Sequence, residues 1–175
     1  EEGAGESRMA VEIERKFLLR DEGWRRDVSR SVAMRQGYLA APPAARCAVR
    51  VRIGGGHAFL TVKSVATAIQ RDEYEYAIPP GDAARMLATL AGDVIEKRRH
   101  FVEVHGHVFE IDEFAGANRG LVVAELELAA PDSDHPRPPW LGADVSALAR
   151  YYNLNLATHP YSQWTAAERD GDDAG

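Results

Sequence analysis

The chain has 175 residues, 45% hydrophobic and 27% charged, with a formal net charge of −6. That composition excludes a disordered chain and suits one domain with its own core, while the negative charge argues against a general nucleic-acid binder. The single cysteine, Cys47, excludes an internal disulfide framework and fits a reducing cytoplasm, and no stretch reaches the roughly 18 apolar residues of a membrane span. The expectation is a soluble cytoplasmic monomer or homodimer that engages neither membrane nor nucleic acid. Net charge does not limit the local field of a cleft.

In chain order, residues 1–8 read as a disordered leader with Met9 a candidate start, 9–160 as one domain, and 161–175 as a weak helix or disordered tail. The first strand covers 11–20, with Val11, Ile13 and Phe17 on one face and Glu12, Glu14 and Lys16 on the other. Residues 21–31, with Trp24, predict a short helix on an end of the sheet. A second strand over 32–41 stops at Pro42-Pro43. Strands 47–53 and 58–65 flank Gly54-Gly55-Gly56-His57, a hairpin turn that lacks the Lys-Ser/Thr of a phosphate-binding loop. A strand at 72–78 ends at Pro79-Pro80-Gly81. Asp82 then caps a helix to Ala91 with Ala83, Met86, Leu87 and Leu90 as its stripe, and Gly92 stops it. Strands 95–104 and 107–114 flank His105-Gly106, and 121–130 is the last long strand. Residues 131–139 form a proline-rich crossing, and 146–157 predict a helix. Trp24, Trp140 and Trp164 read as packing. The pair His105-x-His107 lies in a turn with no third zinc ligand in sight.

Eight strands on short connections predict an α+β, mainly β fold: an eight-stranded antiparallel closed barrel with a few flanking helices. Eight strands are just wide enough to hold side chains or one small ligand. If helices cover the apolar strand faces, the charged faces point inward. They carry eight carboxylates (Glu12, Glu14, Glu73, Glu75, Glu110, Asp112, Glu125, Glu127) and six cations (Lys16, Arg50, Arg52, Lys63, Lys97, Arg99). Charges taken into dry protein are prohibitively costly, so such an interior is a wet tunnel. A solvated face mixes signs along each strand, because like charges close together repel; here the signs are mostly segregated strand by strand. Arginine and lysine grip a polyanion, and carboxylates hold a hard divalent cation. A metal-bound polyphosphate is the ligand this inventory describes.

Glu12-x-Glu14-x-Lys16 resembles the signature of the CYTH superfamily, the triphosphate tunnel metalloenzymes. The similarity continues through Gln36-Gly37-Tyr38-Leu39, Arg50-x-Arg52, Thr61-x-Lys63, Arg71-x-Glu73-x-Glu75, Glu96-Lys97-x-Arg99, Glu110-x-Asp112-x-Phe114-x-Gly116, Glu125-x-Glu127, Pro139-Trp140-x-Gly142 and Arg150-Tyr151-x-Asn153. Jointly these motifs cover roughly residues 9 to 157. The resemblance implies a tunnel that binds a triphosphate with Mg²⁺ or Mn²⁺, and within the family this chain looks most like the short bacterial inorganic triphosphatases. Class IV-like adenylate cyclase and thiamine or nucleoside triphosphatase are the alternatives, and a non-catalytic polyphosphate- or nucleotide-binding module is the alternative of another class. On this resemblance and their chemistry, Glu12, Glu14, Glu75, Glu110, Asp112, Glu125 and Glu127 are the expected metal ligands, with Glu73 on the facing wall. Lys16, Arg50, Arg52, Lys63, Lys97 and Arg99, with Tyr38 at the mouth and Arg150 on the plugging helix, are expected to bind substrate. Glu12, Glu14, Lys97 and Glu127 are the expected catalytic groups. Leu148 and Ala149 replace an acidic residue and a lysine common in relatives, and His100 replaces a tyrosine as a surface variation.

Overall fold

The computed structural model describes residues 10–65 and 69–171. The expected leader at 1–8 and the end of the expected tail at 172–175 lie outside the described residues. Among the described residues there are nine strands: β1 (Ala10–Leu19), β2 (Val28–Ala40), β3 (Cys47–Gly54), β4 (His57–Ser64), β5 (Gln70–Ala77), β6 (Ile95–Val104), β7 (His107–Phe114), β8 (Val122–Glu127) and β9 (Leu141–Asp144). The helices are α1 (Pro80–Thr89), α2 (Asn153–Thr158) and α3 (Ala166–Asp170). Neighbours run β5-β4-β3-β2-β6-β7-β8-β1, and β1 returns to β5 to close an eight-stranded antiparallel barrel. The predicted fold class is the observed one.

β9 was not expected. β5 pairs only with the first half of β1, through Ala10↔Glu73 to Ile13↔Gln70, and β9 takes the same edge further on, through Phe17↔Asp144 and Leu19↔Leu141. It is short and contains Gly142, so no alternation marks it in the sequence. The expected helix at 21–31 is only a 3₁₀ turn over Gly23–Asp27. β2 starts at Val28 because its backbone pairs with β6 as far as Val28↔Val102, with a bulge before Arg30, and these long-range bonds override local preference. The expected helix at 146–157 is split: Tyr152 is extended (φ −73°, ψ 133°) between a 3₁₀ turn and α2. Asp82 does not cap α1. Pro79 is the cap residue and Pro80 opens the helix with φ already set, leaving Asp82 in the first turn where its charge suits the dipole.

Three apolar clusters hold the barrel. α1 buries Ala83 and Leu87 on the outer faces of Val51 and Ala58. Gly37 makes that approach possible, since a Cβ there would stand 2.8 Å from the Ala91 Cβ. Ile13, Phe17, Val102, Phe109, Ile111, Ala124 and Leu126 face outward from β1, β6, β7 and β8 and are covered by Trp24, Trp140 and Leu141. The third cluster fills one end of the bore: Ile95, Phe114 and Val123 meet Tyr151, Leu156 and Trp164 from the C-terminal segment. All three tryptophans are buried. Part of the expected tail is thus a plug, and α3 carries a reciprocal Thr165–Glu168 cap.

His100 is no surface variation. Its ring is buried beside Trp24 (5.1 Å between centroids), with Nδ1 2.7 Å from Ser31 Oγ and Nε2 2.6 Å from Glu113. Arg25 donates to both oxygens of Glu113, so this network ties the 23–27 turn to the barrel wall.

Candidate active site

Strand parity turns one side chain in two into the barrel, and the inward set encloses a cavity of about 690 Å³. β1 and β8 give an acidic wall of Glu12, Glu14, Glu125 and Glu127; half-way round the barrel order, β3 gives Arg50 and Arg52, and β6 adds Lys97 and Arg99. Lys16, Lys63, Glu73, Glu75, Glu110 and Tyr38 also line the cavity. The sequence-predicted residues therefore converge, except for Asp112 and Arg150.

Most of these charges are paired. Lys16 Nζ donates to Glu14 at 2.8 Å and to Glu125 at 2.9 Å. Lys63 bonds Glu12 at 2.9 Å and Glu73 at 2.9 Å, and Arg71 reaches Glu12 at 3.1 Å. Arg99 donates to Asp112, Glu110 and, at 3.1 Å, Glu125. Lys97 donates to Asp112 at 2.6 Å and to the Asn153 side-chain oxygen at 3.2 Å. On β3, Arg50 donates to Thr61 at 3.3 Å, and both arginines lie 3.7–3.8 Å from Glu75.

Two of the predicted site residues are placed outside the cavity lining. Asp112 is fully buried, with both oxygens held by Lys97 and Arg99, so it sits behind the basic wall instead of among open metal ligands. Burial alone would raise its pKa, but Arg99 and Lys97 hold it below the ordinary value. Arg150 stacks on the rings of Tyr151 (4.8 Å) and Trp164 (5.4 Å) and is not part of the cavity lining. Its guanidinium packs the plug. At the β6–β7 turn His105 is exposed, whereas His107 is half-buried at the cavity edge.

Sequence reasoning gave no role to Arg71, Thr61, Asn153 or Tyr152. Arg71 and Thr61 share the inward parity of Glu73 and Lys63, which was signal enough. Asn153 and Tyr152 enter the cavity only because the plug folds back over the barrel end, and nothing local announces that.

The pairing leaves two poles unbalanced. Glu14 is raised to about 7 by burial and by Glu125, against Lys16. Glu127 is also raised, by burial and by Glu12, Glu73 and Glu110, and it makes no ion pair or hydrogen bond among the described residues. At the other pole Arg52 is lowered by burial and by Arg50 and Arg99. Among the described residues no three acid, histidine or cysteine groups converge at metal-holding distance, because the carboxylates are turned toward lysine and arginine.

Fold and site together define a β-tunnel whose bore opposes an acidic wall to a basic one. Residues 10–160 match the CYTH domain. The chain is 40% identical over 157 residues to the inorganic triphosphatase of Acetivibrio thermocellus, covering 89% of this chain and 99% of that protein. It is 34% identical over 150 residues to the inorganic triphosphatase of Nitrosomonas europaea, covering 84% and 97%. The crystal structure of an inorganic triphosphatase superposes with a TM-score of 0.61 at 34% identity, over 83% of this chain and 96% of that one. This chain belongs to the CYTH domain family. No helix among the described residues is long and apolar enough to cross a membrane.

Proposed function

We propose that the protein is a divalent-metal-dependent triphosphatase that cleaves inorganic tripolyphosphate to pyrophosphate and phosphate within the bore. The observation that carries this reading is the pair of unbalanced poles in one cavity: cations short of counter-charge at Arg52, and carboxylates short of it at Glu14 and Glu127. A polyanion relieves the first and a cation the second. The names of the relatives support the same substrate.

In this reading Arg50, Arg52, Lys97 and Arg99 bind phosphate oxygens, with Lys16 and Lys63 alongside. The guanidiniums make paired contacts, and the ammoniums act as point charges. Lys97 is pulled down toward about 8 by burial and by Arg99, against Asp112, so an incoming phosphate oxygen adds a second anionic partner to the one Asp112 supplies. The acid wall offers only hard oxygen donors, which fit Mg²⁺ or Mn²⁺. Glu12, Glu14, Glu125 and Glu127 would hold such an ion, with Glu73, Glu75 and Glu110 nearby. When bound, it supplies Lewis-acid neutralisation of phosphate oxygens and a more acidic water. Glu14 and Glu127 would orient a water for in-line attack on a terminal phosphorus and accept its proton as the bond to the pyrophosphate oxygen breaks. The basic wall holds the leaving pyrophosphate. No protein nucleophile is needed.

The test is to follow phosphate, pyrophosphate and cyclic AMP released from tripolyphosphate, ATP and thiamine triphosphate, with Mg²⁺ or Mn²⁺. Fastest turnover of tripolyphosphate is expected. Cyclic AMP as the main product would replace hydrolysis by cyclisation, and binding without turnover of any of the three would reduce the protein to a sensor.

A further inference from the structure

β2 runs between the two strands of the basic wall, with β3 on one side and β6 on the other. Its inward row includes Met34, Gln36 and Tyr38. Gln36 is completely buried and directly opposite Arg52 in the β2–β3 register. Among the described residues neither its Nε2 nor its Oε1 has a hydrogen-bond partner, and Arg50 Nε is orphaned in the same way on the neighbouring strand. A buried amide with both ends unpaired destabilises the fold that contains it, and an apolar side chain of similar shape would fit better. The amide is therefore accounted for by a state in which it is bonded.

Arg52 is the group that can bond it. Side chains directly opposite on antiparallel strands have Cβ atoms about 5 Å apart, within reach of a guanidinium. Among the described residues the ion-pair contact of Arg52 is a loose one to Glu75, at 3.8 Å, so little there holds its present orientation. An amide oxygen suits this place for an electrostatic reason. Asp112 fixes Lys97 and Arg99 but cancels part of their charge, whereas a neutral acceptor fixes a guanidinium and leaves its full charge for an anion.

We propose that Gln36 is a positioning residue for Arg52: when a phosphate chain draws Arg52 away from Glu75, the Gln36 amide oxygen accepts a hydrogen bond from the guanidinium and sets its plane. This rests on the triphosphate reading above.

The test uses calorimetric titration of inorganic tripolyphosphate without divalent metal, together with thermal melting. It compares the wild-type chain with Gln36→Met, Arg52→Ala and the double variant. Gln36→Met is expected to weaken binding about tenfold, to melt at the wild-type temperature or higher, and to add no further loss on the Arg52→Ala background. Wild-type affinity in Gln36→Met overturns the proposal. So does a tenfold loss that persists when Arg52 is already absent. A melting temperature several degrees lower does as well, since it would mean that buried water already satisfies the amide in the free protein. A wild-type chain that neither binds nor hydrolyses tripolyphosphate removes the triphosphate reading itself, a result distinct from a Gln36→Met chain that binds normally.

Discussion

Where β1 meets β8, the register sets Glu14 opposite Glu127 and Lys16 opposite Glu125. Lys16 satisfies Glu125 and part of Glu14, and Glu127 is left over. Burial first, and the neighbouring acids next, raise Glu14, which is strained as a carboxylate in the free protein; Glu127 is also raised, but it is exposed and its charge is partly solvated. Glu14→Gln and Glu127→Gln are therefore expected to abolish phosphate release while leaving the melting temperature of the metal-free protein equal or raised. Near-normal rates in both would displace the acid wall from the chemistry. The pH dependence follows with a definite sign. The folded state holds Glu14 protonated up to about 7, above the ordinary 4.5, so it binds more protons than the unfolded chain across that window. Stability then falls as pH rises from 4.5 to 7. Glu12, Asp112 and Glu125 are lowered instead, so their contribution is complete above their ordinary values and is lost only in stronger acid. Melting between pH 4.5 and 7 should thus slope downward in the wild type and less so in Glu14→Gln; equal slopes would refute the burial of that charge. On the basic side, Arg52→Ala should weaken tripolyphosphate binding by about tenfold or more, read by calorimetry, with little change in melting.

The strands that build the tunnel were legible because each carries a physical alternation: β1, β3, β5, β7 and β8 put charges at alternate positions with mostly apolar or aromatic residues between, Arg15, Asp72 and Glu113 being the outward exceptions. The elements that closed it were not. β9 exists because the second half of β1 needs a neighbour, the 23–27 turn because β2 pairs further than its own residues suggest, and the split at Tyr152 because the C-terminal segment must fit a barrel end. The same division applies to the site. Inward parity revealed the walls, while the burial of Asp112, the stacking of Arg150 and the entry of Asn153 depend on tertiary packing that no local pattern encodes. Leu156 shows how much the plug carries. It is 1% exposed among Tyr151, Trp164, Val123 and Phe114, and removing a buried leucine side chain costs about 2–5 kcal/mol. Leu156→Ala should lower the melting temperature by roughly 5–15 °C. It should also reduce turnover, since α2 presents Asn153 to Lys97. Leu90→Ala, at an exposed site beyond α1, is the control and should melt within about a degree of wild type. Equal melting of the two variants would mean that the barrel end does not depend on this cluster.

At the scale of the whole molecule, an eight-stranded barrel with apolar cover outside and charges inside is stabilised by its exterior and loaded from its interior. The bore gives up part of that stability because Arg52, Glu14 and Glu127 are left with unbalanced charge after the other groups pair, and ligands that bind there return it. A ligand at a hundred times its Kd stabilises the folded state by about 2.7 kcal/mol, equivalent to roughly 5–10 °C for a chain of this size. Tripolyphosphate at that excess, without metal, should raise the wild-type melting temperature by that amount. Orthophosphate at the same concentration should do much less, because a single phosphate cannot reach Arg50, Arg52, Lys97 and Arg99 together. Mg²⁺ or Mn²⁺ alone should also stabilise, and more strongly as pH rises through about 7, where Glu14 gives up its proton; below that the ion competes with the proton. The two effects should separate by variant: Arg52→Ala removes most of the tripolyphosphate shift and spares the metal shift, and Glu127→Gln does the reverse. A single variant that erased both shifts with its fold intact would show that the walls are one site and not two.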